Sequence, residues 1–224
     1  MIEPGITPRK LDQEAERFIR STGGEPGFKG LYGYPATLCV SIEDEVVHGI
    51  PNDQPLKEGW IVGLDVGALL DGYYGDHARS FAVGRVDSDK QGLLTRTREC
   101  LGLGIRAAVV GATVGHIGYA VQQHAESAGF GVVRDLVGHG IGTHLHEEPQ
   151  VPNFGSPGEG PVLKEGMCLA LEPMINMGGP EIFTKDDGWT VKTMDGRPSA
   201  HFEHTIVVTA QGPEILTMYE DEVS

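Results

Sequence analysis

The chain has 224 residues, 32 acidic and 17 basic, and its formal net charge of −15 argues against nucleic acids and anionic membranes as partners. Three widely spaced cysteines without a Cys-X-X-Cys pair indicate reduced thiols rather than a disulfide framework. Because the N-terminus lacks a leader-like segment and no apolar run approaches the ~18 residues of a membrane span, we expect a cytoplasmic protein.

The first third of the chain is predicted to contain one helix and three strands. Thr7-Pro8 predicts a helix start, with the threonine as the cap, and Gly23-Gly24 ends the helix. Asp71-Gly72 predicts the turn between the second strand and the third. Apolar and β-branched runs place these strands at 36–42, 60–70 and 73–83.

The remainder of the chain begins with two helices and continues as short strands. The helices are predicted over about 88–110 and 115–128, with Gly111 and Gly115 separating them. Gly- and Pro-rich loops follow, and residues 205–209 form the strongest strand pattern. No linker or low-complexity tract divides the chain, so we expect one α+β domain that spans all 224 residues.

One pattern of letters occurs twice. LKEG opens two apolar runs, and these runs end in Asp65 and in Glu172. A His-Gly-Ile segment precedes each copy, and a second acid follows each, Asp76 and then Glu203. The shared order predicts duplicated half-domains related by a pseudo-twofold axis. Coincidence among common turn residues is the alternative explanation.

Four carboxylates that converge in a protein core need a neutralising partner. Desolvation and mutual repulsion would otherwise cost several kcal/mol. Two divalent cations would neutralise the acids and hold an activated water between them. The strands are therefore predicted to end in acids because the acids bind metal. Each acid taken alone is equally well explained as a turn former or a surface residue.

The segment GHGIGTHLHEEP supplies histidines for such a site. His139 lies among glycines, where the backbone can approach a ligand closely. His144 and His146 alternate at strand spacing and so share one face, and we expect His144 to be a bystander. Two further histidines flank Glu203 and are candidates to orient it, namely His201 and His204.

Five segments match one known family in order and cover nearly the whole chain. They are GYPATLCVSIEDEVVHGIP, LDVGALLDGYYGD, GHGIGTHLHEEPQVPNFG, LALEPMIN and TVKTMDGRPSAHFEHTIVVT. Together they resemble the type I methionine aminopeptidases, which have the pita-bread fold. The resemblance implies an α+β protein whose pseudo-twofold half-domains, with antiparallel sheet and helices, surround a central dinuclear metal site.

The resemblance also implies ligands and catalytic residues. Five ligands would hold two divalent ions, namely Asp65, Asp76, His139, Glu172 and Glu203. Asp76 and Glu203 would bridge the ions, and Glu172 would accept a proton from the attacking water. His48 would contact the scissile amide, while His146 would steady the substrate carbonyl and the tetrahedral intermediate. Oxygen-rich coordination with one imidazole favours Mn, Fe(II) or Co, with Zn and Ni as further options.

The family's substrate would be the N-terminus of a nascent polypeptide, at the ribosome, with a small second residue. A pocket for the methionine side chain is implied at Phe28, Leu31, Tyr34, Cys39, Leu145 and Trp189, completed by His48 and His146. An apolar slot with sulfur and aromatic edges suits a thioether. Core packing is the competing explanation for each pocket residue alone. The family also implies a monomer.

Three features depart from the family pattern. The chain starts at the segment that follows an amphipathic helix in the family, so we expect a short form or a truncation without that helix. Gly63 and Gly67 flank Asp65, and His77 follows Asp76, where other residue types are usual. These departures bear on catalytic efficiency rather than on identity.

Other readings of the same fold are available. Proline-directed peptidases of the aminopeptidase P or prolidase kind share the five ligands, but the VVHGIP segment and the lack of a large preceding domain argue against them. A pita-bread protein that binds partners without catalysis typically loses ligands, and all five are present. A type II methionine aminopeptidase is disfavoured because that class carries a long insertion.

Overall fold

The computed structural model describes residues 1–218 and is an α+β structure, as predicted. The helices of this part are α1 (Pro8–Ser21), α2 (Ser88–Ala107) and α3 (Val114–Ser127). Its strands are β1 (Glu25–Pro26), β2 (Leu38–Ile42), β3 (Glu45–Val47), β4 (Ile61–Leu70), β5 (Tyr73–Ala82), β6 (Gly131–Val132), β7 (Gly138–Gly140), β8 (Glu147–Val151), β9 (Cys168–Leu171), β10 (Met174–Asn176), β11 (Ile182–Thr184), β12 (Val191–Thr193), β13 (Ser199–His201), β14 (His204–Thr209) and β15 (Gly212–Ile215). All strand pairs among them are antiparallel. None of the helices in this described part has the length and apolar character needed to cross a bilayer.

Helix α1 starts and ends where its sequence predicts. The Thr7 side chain accepts a hydrogen bond from the Lys10 amide at 3.3 Å, which satisfies a free donor of the first turn. The Asp12 side chain on this helix accepts hydrogen bonds from the backbone amides of Thr37 and Leu38, at 2.8 and 2.9 Å. Buried Leu11 packs in the same cluster as residues of β2 and β4. These contacts fix the helix against the sheet that carries Asp65.

Strands β4 and β5 form a long hairpin with the predicted turn. Asp71 and Gly72 both have positive φ, 50° and 85°, as a type I′ turn requires. In the register of this hairpin, Asp65 pairs with Ala78 and Gly67 pairs with Asp76. The hairpin therefore carries the first two predicted acids on adjacent strands.

The other half of the chain contains a second antiparallel ladder with a similar register, here named the second hairpin, with β11 and β12 inserted between its strands. Strands β9 and β10 pair with β14 and β13, so that Leu171 lies opposite His204 and Met174 opposite His201. Glu172 follows β9, and Glu203 lies between β13 and β14. The second pair of predicted acids thus occupies a hairpin that is built like the first.

The two LKEG segments adopt one conformation at the bases of these hairpins. Gly59 and Gly166 have φ of 84° and 85°. Their amides donate to the carbonyls of Val83 and Val208 at 2.9 and 2.8 Å, respectively. In each copy the residue after the glycine donates to the lysine carbonyl, at 3.2 Å in both cases. The repeat is therefore structural, and chance similarity of letters does not explain it.

The two His-Gly-Ile segments, in contrast, do not occupy equivalent places. His139 lies on β7, which pairs directly with β9. The strands that pair with β4 are β1, β2 and β5, whereas His48 follows β3, a strand that pairs with β12. The correspondence between the halves therefore holds for the hairpins and fails for these histidines. It also fails for the second acids, since the register position of Asp76 is taken in the second hairpin by His201 rather than by Glu203.

The hairpins meet edge to edge through side chain and backbone. The Asp76 amide donates to Thr205 Oγ1 at 3.0 Å, and the same hydroxyl donates to the Asp76 carbonyl at 2.8 Å. The Glu203 amide donates to the carbonyl of Ala78 at 2.8 Å. The acids of both halves are thereby brought to one place.

Helices α2 and α3 pack together behind the second hairpin. Gly115 was predicted to separate them, but it lies inside α3, which starts at Val114. The helix approaches a neighbouring loop so closely there that a Cβ on Gly115 would lie 2.2 Å from the Ser156 carbonyl oxygen. This glycine serves packing rather than helix termination.

Candidate active site

One cavity of about 160 Å³ collects every residue that the sequence predicted as a metal ligand, a catalytic group or part of the methionine pocket. Its lining comprises Phe28, Leu31, Tyr32, Tyr34, Cys39, His48, Asp65, Asp76, His139, Leu145, His146, Glu172, Trp189 and Glu203. Tyr32 is the member that the sequence did not predict. Acidic and imidazole groups form one part of the lining, and aromatic and aliphatic groups form the other.

The acidic part has the composition and spacing of a metal site. Asp76, His139 and Glu203 each offer a ligand atom, and these atoms lie within 4.8 Å of one another. His139 Nε2 is 3.9 Å from Asp76 Oδ2 and 3.6 Å from Glu172 Oε1. Carboxylate oxygens with an imidazole nitrogen suit divalent first-row metals.

Buried oxygens without partners support the same conclusion. Within residues 1–218, Asp65 Oδ1, Asp76 Oδ1 and Glu203 Oε1 are buried and accept no hydrogen bond. An unpaired buried polar atom costs free energy, and a cation beside these oxygens would remove that cost. The residues therefore fit the metals that the sequence implied.

The pKa values of the cluster are shifted because its ionisable groups are buried away from water. Burial, reinforced by the neighbouring carboxylates, raises the pKa of Asp65, Glu172 and Glu203 well above their ordinary values. Burial also raises the pKa of Asp76, to about 7. The same desolvation lowers the pKa of His139 to about 4, so its imidazole is neutral and able to ligate a metal.

Protein stripped of metal is expected to lose stability as the pH rises from about 4 to about 7. Over this range the native protein keeps a proton on Asp76, whose pKa is raised from 3.8 to about 7, while the unfolded chain has released it. The native state binds more protons, so the free energy of unfolding falls as the pH rises. Asp65, Glu172 and Glu203 add to this trend because their pKa values are raised too. The desolvated histidines His77, His139 and His201 oppose it below about pH 6.5, because the unfolded chain protonates them and the native protein does not, but the four carboxyls outnumber them.

The measurement is the thermal midpoint of chelator-treated protein at pH 5 and pH 7. A lower midpoint at pH 7, restored by Mn(II), is expected because a cation favours the ionised carboxylates. A higher midpoint at pH 7 without metal would show that burial does not disfavour the ionised form of these carboxylates.

His48 and His146 lie where this cavity adjoins a wider one of about 430 Å³. Both line the two cavities, and burial lowers the pKa of each imidazole, which keeps them neutral near pH 7. The His146 ring packs edge-on against His139, with centroids 4.5 Å apart. Neutral imidazoles at the junction of the two cavities can donate a hydrogen bond to a peptide that passes between the two rings, or accept one from it.

Tyr32 holds the other face of His146. The two rings are nearly parallel, at 12°, with centroids 6.0 Å apart. Tyr32 has φ of 50°, uncommon for a bulky residue, and 77% of it is exposed. The only sequence signal was its position between Gly30 and Gly33, both of which have positive φ.

The apolar part of the cavity is rigidly built. Tyr34 packs edge-on against Trp189, with centroids 5.1 Å apart, and its hydroxyl lies 2.9 Å from the carbonyl oxygens of Leu38 and Gly49. Burial raises the pKa of the Cys39 thiol well above its ordinary value, so this sulfur stays protonated. A fixed apolar slot with a neutral sulfur results.

One departure from the family pattern has a direct explanation in this slot. A Cβ on Gly67 would lie 2.5 Å from Cε1 of Phe28, closer than such atoms approach. Gly67 therefore makes room for the aromatic ring that lines the cavity. Gly63 is different, because a Cβ there would meet Ser80 Oγ at an ordinary 3.4 Å.

The remaining predicted histidines have different surroundings. His144 is exposed and lies outside the cavity lining. His204 Nδ1 is 2.9 Å from Thr217 Oγ1, and its ring stacks on His77 at 4.8 Å. His201 Nε2 lies 3.6 Å from Oε2 of Glu172, so it faces that acid rather than Glu203.

Comparison with known proteins defines the class to which this fold and site belong. The sequence profile of metallopeptidase family M24 matches residues 1–210. A prolidase from Pyrococcus furiosus superimposes with a TM-score of 0.77 at 23% identity, over 98% of this chain and 58% of the other, which shows a shared fold. The chain belongs to metallopeptidase family M24, and its fold is the pita-bread fold that the sequence predicted.

More similar relatives are all of one kind. A methionine aminopeptidase from Clostridium perfringens is 50% identical over 217 residues, covering 97% of this chain and 87% of the relative. Methionine aminopeptidase 1 from Bacillus subtilis is 49% identical over 216 residues, covering 96% and 87%. The Thermotoga maritima methionine aminopeptidase structure superimposes with a TM-score of 0.96 at 45% identity, covering 97% and 88%. Within its family the chain therefore falls among the methionine aminopeptidases.

Proposed function

We propose that this protein removes the N-terminal methionine from polypeptides whose second residue is small, using two divalent metal ions. The observation that carries the proposal is the single cavity in which a cluster of buried carboxylates and an imidazole adjoins a rigid apolar slot. The names of its relatives support the same activity.

The proposed metal ligands are Asp65, Asp76, His139, Glu172 and Glu203. Asp76 and Glu203 lie where the two hairpins join, so both would hold the metals between the two halves. Bound divalent metals supply Lewis acidity that makes water nucleophilic near neutral pH. Mn, Fe(II) and Co suit this oxygen-rich set best, and Zn and Ni are further options.

The chain's own groups bind the substrate and move the proton. The apolar slot takes the methionine side chain, whose burial contributes about 1.5–3 kcal/mol. His48 and His146 flank the scissile amide, and an N–H of His146 donates to the carbonyl oxygen as negative charge develops there. Glu172 accepts a proton from the attacking water, which requires the ionised carboxylate that a neighbouring cation would favour.

The same geometry restricts the residue that follows methionine. The peptide beyond the scissile bond must leave between His48 and His146 into the wider cavity. A bulky second side chain would crowd the amide between these rings. We further propose that the protein works as one catalytic domain, as a monomer in the cytoplasm, on nascent chains at the ribosome.

The alternatives are less well supported. The prolidases from Pyrococcus furiosus and Pyrococcus horikoshii are 23% identical to this chain, whereas the methionine aminopeptidases from Clostridium perfringens and Rickettsia prowazekii are 50% and 45% identical to it. A binding protein without catalysis would not need five ligand-type side chains converging in one cavity.

A peptide mixture separates these possibilities in one assay. Protein reconstituted with Mn(II) or Co(II) is incubated with Met-Gly-, Met-Lys- and Xaa-Pro-headed peptides, and products are read by mass spectrometry. We expect loss of methionine from the Met-Gly peptide alone, and none after chelation. Cleavage of the Xaa-Pro peptide would instead assign the protein to the proline-directed peptidases. No cleavage by protein with bound metal would favour a binding role.

A further inference from the structure

His201 is a buried side chain for which the proposed mechanism has no use. Only 4% of the residue is exposed, and within residues 1–218 its Nε2 is buried without a hydrogen-bond partner. The nearest carboxylate oxygen in an ion-pair geometry is Glu172 Oε2, at 3.6 Å. A buried nitrogen of this kind requires an explanation.

The hairpin registers show what place His201 occupies. Asp76 lies opposite Gly67 in the first hairpin, two positions beyond Asp65 along β4. His201 lies opposite Met174 in the second hairpin, two positions beyond Glu172. His201 is therefore the counterpart of Asp76. Since side chains alternate along a strand, His201 also shares a face with Glu203.

The backbone holds this imidazole in place. The Ser80 hydroxyl donates to the His201 carbonyl at 3.0 Å, and the His201 amide donates to Ser80 Oγ at 2.9 Å. Ser80 belongs to β5 of the first hairpin, so these hydrogen bonds hold the two hairpins together at His201. These bonds fix the backbone from which the ring projects, and burial of the residue restricts rotation of the ring.

Glu172 consequently lies between two imidazoles. Its Oε1 faces His139 Nε2 and its Oε2 faces His201 Nε2, at 3.6 Å in both cases. This distance exceeds a hydrogen bond, but contacts in active sites often shorten when the site is occupied. A small rotation of the carboxylate is sufficient.

We infer that His201 is a positioning residue whose Nε2–H donates to Oε2 of Glu172 and thereby fixes the orientation of that carboxylate. Oε1 is then directed at the metal and His139. The inference rests on the proposed function, in which Glu172 is both ligand and proton acceptor. Removing a group that orients a metal ligand typically lowers metal affinity or activity by about 10- to 100-fold.

Two substitutions of equal length separate hydrogen bonding from packing. His201→Gln keeps an N–H donor, whereas His201→Met fills the space without one. Mn(II) binding is measured by calorimetry, and kcat and KM are measured with a Met-Gly peptide. We expect His201→Met to weaken Mn(II) binding and lower kcat by about 10- to 100-fold with KM unchanged, and His201→Gln to remain within about 3-fold of wild type.

His124→Met is the matched control, because His124 is a half-buried histidine on α3 that contacts Arg96 and Glu99 and lies outside the cavity. It is expected to keep wild-type metal affinity. Equal impairment of both His201 variants, or wild-type behaviour of His201→Met, would overturn the inference. If His201→Met does not fold, a 10-fold loss in His201→Gln would also overturn it. Wild-type protein that binds no Mn(II) or leaves the Met-Gly peptide intact would instead refute the proposed function.

Discussion

Replacing Asp76 by asparagine is expected to abolish metal retention and to lower kcat/KM for a Met-Gly peptide by about 1000-fold or more. Asp76 lies at the junction of the hairpins, with Oδ1 unpaired and Oδ2 3.9 Å from His139 Nε2. Asparagine offers one neutral oxygen where a bridging ligand needs two anionic ones. Losing the Lewis acid removes several kcal/mol of transition-state stabilisation, and about 4 kcal/mol corresponds to a thousandfold in rate.

The measurement is metal content by elemental mass spectrometry after gel filtration, together with the peptide assay. Asp71→Asn is the control, since it makes the same chemical change on the same hairpin at an exposed turn, where asparagine tolerates the positive φ. Metal-free Asp76→Asn is expected to be at least as stable as metal-free wild type, because it buries no charge. An active Asp76→Asn protein would show that the site is wrongly placed.

Replacing His146 by alanine should separate metal binding from turnover. His146 lies beside the predicted ligands without being one, at the junction of the two cavities. Its loss removes a donor to the carbonyl oxygen of the substrate. Removing one donor of this kind typically costs about 100- to 1000-fold in kcat. We expect that loss, with the metal content unchanged.

The matched control for this variant is His144→Ala, two residues away on the same segment and likewise exposed, but outside the cavity. Metal content and kcat are compared across wild type and both variants. Loss of metal from His146→Ala would show that its edge contact with His139, at 4.5 Å, supports a ligand rather than the substrate.

The sequence was most informative where one residue type had a single plausible use. Acids at the ends of buried runs predicted a metal cluster because charge in a core needs compensation, and Asp65 and Glu172 do lie in one cavity. The LKEG copies predicted equivalent hairpins, and their turns are superimposable in φ and hydrogen bonding. Asp71-Gly72 predicted its turn because few other pairs tolerate two positive φ values.

Features that depend on register and close approach were not predictable. Letter order aligned His48 with His139, whereas strand pairing gives them different places. Gly115 looked like a separator because the loop that needs its missing side chain is about 40 positions away in the chain, by the spacing to Ser156. Tyr32 gave no signal beyond its position between Gly30 and Gly33, because its contact with the ring of His146 joins residues far apart in the sequence.

The junction of the hairpins also constrains when the protein can become active during its own synthesis. The hydrogen bonds between Asp76 and Thr205 join positions 129 residues apart. A chain emerging N-terminal end first exposes Asp65 and Asp76 long before Glu203 exists outside the ribosome. Until then the early acids remain hydrated and lack their opposing ligands. Metal loading therefore becomes one of the last events of biosynthesis, and a partly made chain has no peptidase activity.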